Sequence, residues 1–181
     1  MKEIINGVTY FDGILLANKS YSLPKDFGGV NMEAEEALNK MCQAAKKDGL
    51  HIFNFSGYRS FDFQYEVYWK AFDNYGREYA EKSIARPGFS EHQTGLAFDI
   101  NGIDPEFEIQ PEGIWCKEHA REYGFILRYP KGKEHITGYK FEPWHFRYVG
   151  IENAKKIEAT GLCLEEYFDI DSCYKEETYE R

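Results

Sequence analysis

Between Met32 and Lys47 the apolar positions Ala34, Ala37, Leu38, Met41, Ala44 and Ala45 recur three and four residues apart. That is the helical period, and Gly49 supplies the stop. The pattern changes at Leu96, Phe98 and Ile100, which alternate with Ala97 and Asp99. Alternation predicts a strand with an apolar face toward a core; the other face presents a small side chain and a carboxylate. Gly95 permits a sharp turn that folds His92 back over that second face. Elsewhere, Ile52–Phe55 reads as a strand that delivers Ser56-Gly57-Tyr58-Arg59-Ser60. Ser60 is placed to cap a helix running through Gln64 and Tyr68 toward Tyr75, and a second short helix follows over 77–82. Residues 101–113 carry Gly, Asp and Pro and read as a loop at the mouth of a site. A helix over 112–123 stops at Gly124, Phe125–Leu127 is a strand, and Lys131-Gly132-Lys133 is a basic turn. Tyr148-Val149-Gly150 leads into a last helix ending near Gly161, and Leu15–Lys19 is a short strand. Strands separated by helices without a βαβ rhythm predict a single α+β domain over 14–164, with a small antiparallel sheet flanked by helices. Residues 1–13 are left as a leader strand or N-terminal arm and 165–181 as an acidic C-terminal tail.

Composition narrows the partners. A chain of 181 residues fits one domain, and its 14 Tyr and 14 Phe furnish a sizeable core. The net charge of -9 disfavours nucleic acid, which calls for a basic footprint. Mean hydropathy is -0.62, and no apolar run approaches the ~18 residues of a membrane span. Met1–Gly7 has no basic start followed by an apolar stretch. The expectation is therefore a cytoplasmic protein if Met1 is the native start, and otherwise an extracytoplasmic one whose leader or anchor has been removed. Glu165, Glu166, Asp169, Asp171, Glu176, Glu177 and Glu180 crowd the C-terminus, which reads as a solvated, frayed end. Cys42, Cys116, Cys163 and Cys173 form no Cys-x-x-Cys pair, so reduced thiols are the default; a Cys163–Cys173 disulfide would need an oxidising compartment.

The candidate chemistry rests on two segments. His92 and Asp99 lie seven positions apart, a pair that alone is equally well explained by a hydrogen bond in a turn. The second segment, Phe141-Glu142-Pro143-Trp144-His145-Phe146-Arg147-Tyr148, changes that balance. Pro143 drives Glu142 toward an extended conformation, so this is not a helical Glu-x-x-His. Positions three apart on a regular strand face opposite ways, so a bend at Pro143-Trp144 is required. His92, Asp99 and His145 then supply three protein ligands and leave a fourth position open, the form of a catalytic zinc site. Glu142 remains as a base. Arg59 is a candidate anion binder, with a structural salt bridge as the alternative. Trp144 either walls the pocket or is plain core. His51, His119 and His135 fall outside both segments, though His135 sits near the basic turn.

SGYRS, SEHQTGLAFDI, YGFILRYPKGKEHITGY and EPWHFRYVG together resemble the zinc D,D-carboxypeptidases of the VanY type. That group also holds the VanX and VanXY dipeptidases and the L,D-carboxypeptidases. The resemblance runs from about Leu15 to about Leu164. It implies a hedgehog/D,D-peptidase-like fold and one zinc per chain. It also implies hydrolysis of the terminal D-alanine from peptidoglycan stem peptides or precursors ending in D-Ala-D-Ala. Glu142 and Arg59 would be catalytic, with Arg59, Gln64 and Ser90 contacting substrate and Trp144 beside them. Ser90 read locally is a turn cap, and Gln64 an exposed helix residue. L,D-carboxypeptidase and D-Ala-D-Ala dipeptidase specificities stand beside this reading, as does a link to vancomycin resistance. A zinc-containing binding module is the non-enzymatic alternative. Glu142 speaks against it, since a purely structural site has no use for an unligated carboxylate beside the metal.

Overall fold

Helix α1 (Met32–Lys47) spans the predicted window; Asn31 caps it by accepting from the Ala34 amide. Its buried stripe of Ala34, Leu38, Met41 and Ala45 packs on Phe98, Ile100, Phe125 and Phe146. Each fully buried Phe or Leu contributes roughly 1.5–3 kcal/mol. The computed structural model of the chain describes residues 1–176 and 179–181. Two antiparallel sheets result. Strands β1 (Lys2–Ile5), β2 (Val8–Phe11) and β3 (Ile14–Leu16) form a meander. Strands β4 (Asn54–Ser56), β5 (Ala97–Ile100), β6 (Phe125–Leu127) and β7 (His145–Tyr148) form a second sheet in the order β4-β5-β7-β6. The architecture is α+β, as expected.

Helix α2 (Phe61–Tyr75) begins at Ser60, whose hydroxyl accepts from the Phe63 amide as predicted. Helix α3 (Arg77–Ser83) follows. Residues 101–113, read as a loop, hold a 3-10 turn over Pro105–Ile109 and the start of helix α4 (Pro111–His119). A one-turn helix α5 (Glu134–Thr137) follows the basic turn, and α6 (Ile151–Thr160) is not the last helix, because α7 (Leu164–Phe168) succeeds it.

Both chain ends are built into the fold. Of the two readings of residues 1–13, leader strand or arm, the structure has strands and no loose arm: β1 pairs with β2, and β2 with β3. Leu16 of β3 is fully buried with Ile157 and Leu164. The acidic end is not a frayed tail either. Glu165 is 1% exposed and accepts two hydrogen bonds from Arg128. Beyond it, the Ser172 hydroxyl donates to the Thr137 carbonyl, and the Arg86 guanidinium stacks 3.9 Å over the Tyr174 ring. Hydrophobic pattern alone misses this because the anchors are buried ion pairs and aromatic caps, not an apolar periodicity. Glu177, counted with the tail, lies outside the described residues. All four cysteines are free thiols.

Candidate metal centre and active site

The site is assembled by strand register. β5 and β7 pair so that Asp99 lies directly opposite His145, and side chains of such cross-strand partners share one face of the sheet. His145 reaches that face because the chain turns at Pro143-Trp144, closed by a 3.2 Å hydrogen bond from the His145 amide to the Glu142 carbonyl. This is the bend the sequence demanded, and it leaves Glu142 beside the strand it precedes. His92 arrives on a 3-10 turn, Glu91–Thr94, that ends at Gly95 with φ +70°. A Cβ on Gly95 would lie 2.1 Å from the Gly29 carbonyl oxygen, so neither the backbone angle nor the space admits another residue.

His92, Asp99 and His145 are all buried, and each offers a ligand atom within 4.8 Å of the others. His92 Nε2 lies 3.3 Å from Asp99 Oδ2, and His145 Nδ1 lies 3.3 Å from Asp99 Oδ1. The two imidazoles meet edge to face at 5.0 Å. His92 Nδ1 is 2.8 Å from the Gly57 carbonyl, which must be an N–H donation and so leaves Nε2 as the lone-pair nitrogen. Asp99 Oδ1 is buried without a hydrogen bond. A buried acceptor with no donor, flanked by two imidazole nitrogens, suits a divalent cation, and this donor set is one zinc takes. Burial pushes the His92 pKa down. For His145 burial acts the same way, but the carboxylates of Asp99, Glu91 and Glu142 close to its ring prevail and raise it to about 9. Asp99 is held well below the usual carboxylate range by the two histidines, against its burial. A cation in this position would replace the proton that His145 otherwise retains.

Glu142 lines the same cavity, with Oε2 3.4 Å from His145 Nδ1. Desolvation raises its carboxyl to about 7, opposed by His145 and aided by Asp99. A carboxyl with that pKa suits a general base at neutral pH. Arg59 lines the cavity too, with Nη2 3.7 Å from Asp99 Oδ2. Its Nη1 donates to Gln64 Oε1 at 2.9 Å and its Nη2 to the Ser56 hydroxyl at 3.0 Å. Gln64, 1% exposed, is thus not an exposed helix residue, and its Nε2 is already donated to the Ala85 carbonyl. It aims Arg59, and the bond to Ala85 uses one of the two hydrogens on its amide nitrogen, in a side chain that lines the cavity. Ser90 lines the cavity, and its hydroxyl does not cap the turn. Trp144 does both things proposed for it, belonging to the core and walling the cavity.

The cavity measures about 330 Å³. Beyond the residues already named, Tyr79, Ile84, Ala85, Ile103, Tyr129, Tyr139, Lys140 and Phe141 line it. Ile103 and Pro105 place the 101–113 segment at the mouth, as expected. The sequence reading had no means to find the wall made by the end of α3 and residues 139–141, which tertiary folding alone brings together. His135 is exposed and does not line the cavity, and neither do His51 and His119. Glu91 was also missed. It is fully buried behind His145, and its Oε1 accepts from Arg128 Nε at 2.8 Å and Arg147 Nη1 at 2.7 Å. The two arginines hold it well below the usual carboxylate range, against the cost of burying it.

The family model for VanY, D-alanyl-D-alanine carboxypeptidase, matches residues 29–151, which include every one of these side chains. The chain belongs to the VanY family. A relative, the D-alanyl-D-alanine carboxypeptidase of Enterococcus faecium, is 37% identical over 168 residues, covering 92% of this chain and 48% of that protein. The chain spans about half to two thirds of the length of the curated relatives it matches. Among solved structures, the LdcB LD-carboxypeptidase superposes with a TM-score of 0.88 at 41% identity, covering 96% of this chain and 98% of that one. The vancomycin resistance D,D-pentapeptidase VanY, a variant from a VanB-type cassette in complex with Zn(II), superposes with a TM-score of 0.71 at 36% identity, covering 84% and 96%. The chain is thus a metallo-carboxypeptidase family member with the hedgehog-like fold of its relatives. Among the described residues no helix is long and apolar enough to cross a membrane.

Proposed function

We propose that this chain holds one zinc on His92, Asp99 and His145 and removes the terminal D-alanine from peptidoglycan stem peptides or precursors ending in D-Ala-D-Ala. The observation that carries the reading is the buried trio with Glu142 and Arg59 lining one cavity beside it. When bound, the zinc supplies a Lewis acid that lowers the pKa of water to ~7 and polarises a carbonyl. The chain's own residues do the rest. Glu142 accepts the proton of the attacking water on its carboxylate and returns it to the departing amine of D-alanine. Arg59 is held by Gln64 and Ser56 with its guanidinium toward the cavity. It meets either the substrate's terminal carboxylate or the oxyanion formed at the cleaved carbonyl. Trp144, Tyr129, Tyr139 and Phe141 keep water away from these charges, which strengthens them.

Arg59→Ala is expected to retain zinc and lose ~10²–10³ in kcat/KM, the cost of one missing oxyanion donor. A rise in KM alongside would place the guanidinium on the substrate carboxylate. Unchanged kinetics would return Arg59 to the salt-bridge role its contact with Asp99 also permits. Gln64→Ala should reproduce a weaker form of the same loss, because it frees Arg59 without removing it.

Release of D-alanine from a pentapeptide, a tetrapeptide and the bare dipeptide, with and without chelator, tests the substrate. The pentapeptide ending in D-Ala-D-Ala is expected to be cut fastest, and chelator to abolish release. A second reading, L,D-carboxypeptidase action on tetrapeptides, is supported by the near full-length superposition on LdcB. Faster turnover of the tetrapeptide would establish that reading. Faster turnover of the dipeptide would establish a VanX-like one. The family's association with glycopeptide resistance follows only if D-Ala-D-Ala ends are destroyed. No release from any of the three would leave the zinc-containing binding module.

A further inference from the structure

Two arginines in apolar strand sequence call for an explanation. Arg128 follows β6 directly and Arg147 lies within β7, and both are fully buried. Isolated charges there would cost several kcal/mol each, so they must be paired. Two carboxylates do so, and all four side chains are 0% exposed. Glu165 takes Arg128 bidentately, at 2.8 and 2.6 Å. Glu91 takes one N–H from each arginine, both on its Oε1. Arg147 is fixed further by donation from Nη2 to the Leu15 carbonyl at 2.6 Å. The cluster is neutral, with two positive and two negative charges, and Glu91 Oε1 alone completes the arginines' pairing.

That leaves Glu91 Oε2. It is buried, it makes no hydrogen bond within the cluster, and it lies 3.5 Å from His145 Nε2. His145 Nε2 is likewise buried and unpartnered. The other ring nitrogen, Nδ1, faces Asp99 and Glu142 in the cavity. His92 shows the complementary arrangement, with Nδ1 donated to the Gly57 carbonyl and Nε2 toward Asp99. Each imidazole therefore turns one nitrogen to the metal position and the other to an acceptor. For His92 the acceptor is a neutral backbone oxygen, and for His145 it is an ionised carboxylate locked by two arginines.

We propose that Glu91 is a positioning residue: its Oε2 accepts the Nε2–H of His145 and so commits Nδ1 to the metal. The inference rests on the zinc reading given above. An anionic acceptor fixes the tautomer, holds the ring's rotation and makes the ligating nitrogen more basic. The arginines keep the carboxylate from turning, so the orientation of a metal ligand depends on a cluster reaching back to β3 and α7.

The experiment uses the full chain, stripped of metal and titrated with zinc against a chromophoric chelator. Glu91→Gln is expected to weaken zinc ~10–100-fold, the range for loss of a partner behind a metal-bound histidine. Glu165→Gln removes the same charge from the same cluster but does not face His145, and is expected to hold affinity within roughly threefold, short of that range. Wild-type affinity in Glu91→Gln would overturn the proposal. So would equal losses in the two variants, which would reduce the cluster to structural support. Should Glu91→Gln fail to fold, nitrogen-15 NMR of the zinc-loaded wild type decides: a proton on His145 Nε2 supports the proposal and a proton on Nδ1 overturns it. Failure of the wild type itself to bind zinc would instead sink the metal reading, and this inference with it.

Discussion

His145→Ala is expected to lose zinc and activity together. The variant removes one of three protein ligands, and the remaining two, His92 and Asp99, come from the short stretch on either side of Gly95. Zinc content after dialysis should fall from about one per chain to below ~0.1, because binding energy is concentrated in the full ligand set. Activity should fall at least ~10³-fold, since the Lewis acid is worth several kcal/mol of transition-state stabilisation. A second effect falls on stability. Removing the imidazole takes away the ring that lies 3.3 Å from Asp99 Oδ1 and 3.5 Å from Glu91 Oε2, and leaves both buried carboxylates beside an empty space. A buried group stripped of its partner costs roughly 1–3 kcal/mol, more when charged. Wild-type protein should also melt lower once chelated, since a ligand at 1,000 times its Kd adds ~4.1 kcal/mol to the folded state. His145→Ala should show no such chelator effect. Stoichiometric zinc in this variant, measured by atomic emission, would sink the ligand assignment.

The parts of this site legible in sequence are those fixed by local geometry. Alternation at Leu96, Phe98 and Ile100 determines that Asp99 faces away from the core, and β5 shows this directly. Pro143 rules out a helix, and the demand for a bend follows from strand geometry alone. Ser60 announces a helix because its hydroxyl satisfies an otherwise orphaned amide. What stayed hidden depends on pairing across the chain. The β1-β2-β3 meander has a local signal in Asn6-Gly7 and Asp12-Gly13, two-residue hairpin turns with positive φ, but its packing against α6 and α7 more than 100 residues away does not show in sequence. Gln64 reads as a polar helix residue until Arg59 and the Ala85 carbonyl are placed around it. Arg128 and Arg147 did carry a readable signal, as charges set in apolar strand sequence that buried ion pairs alone can explain. Which acids answer them is a matter of topology, and Glu91 and Glu165 lie 74 positions apart in the numbering.

Glu142→Gln separates the chemistry from the scaffold. Glu142 sits three residues before a ligand and its backbone carbonyl accepts the His145 amide, so a substitution that preserves size should leave the turn intact. Glutamine can still hydrogen-bond a water molecule but cannot accept its proton at neutral pH. Zinc content and KM are therefore expected to stay near wild type while kcat falls at least ~10²-fold. The pH dependence follows from the sign of the shift. Burial raises the Glu142 carboxyl to about 7, and the base works only when ionised, so wild-type kcat/KM must rise with pH through this ionisation. A cation held by the neighbouring trio favours the carboxylate and moves the limb down from about 7. Because water and carboxylate share the proton, the midpoint belongs to the coupled pair and not to Glu142 alone. In the glutamine variant the residual rate should lose that limb. Loss of zinc would make Glu142 a ligand and close the position left open for water. Retained activity with the same pH profile would mean that another group accepts the proton.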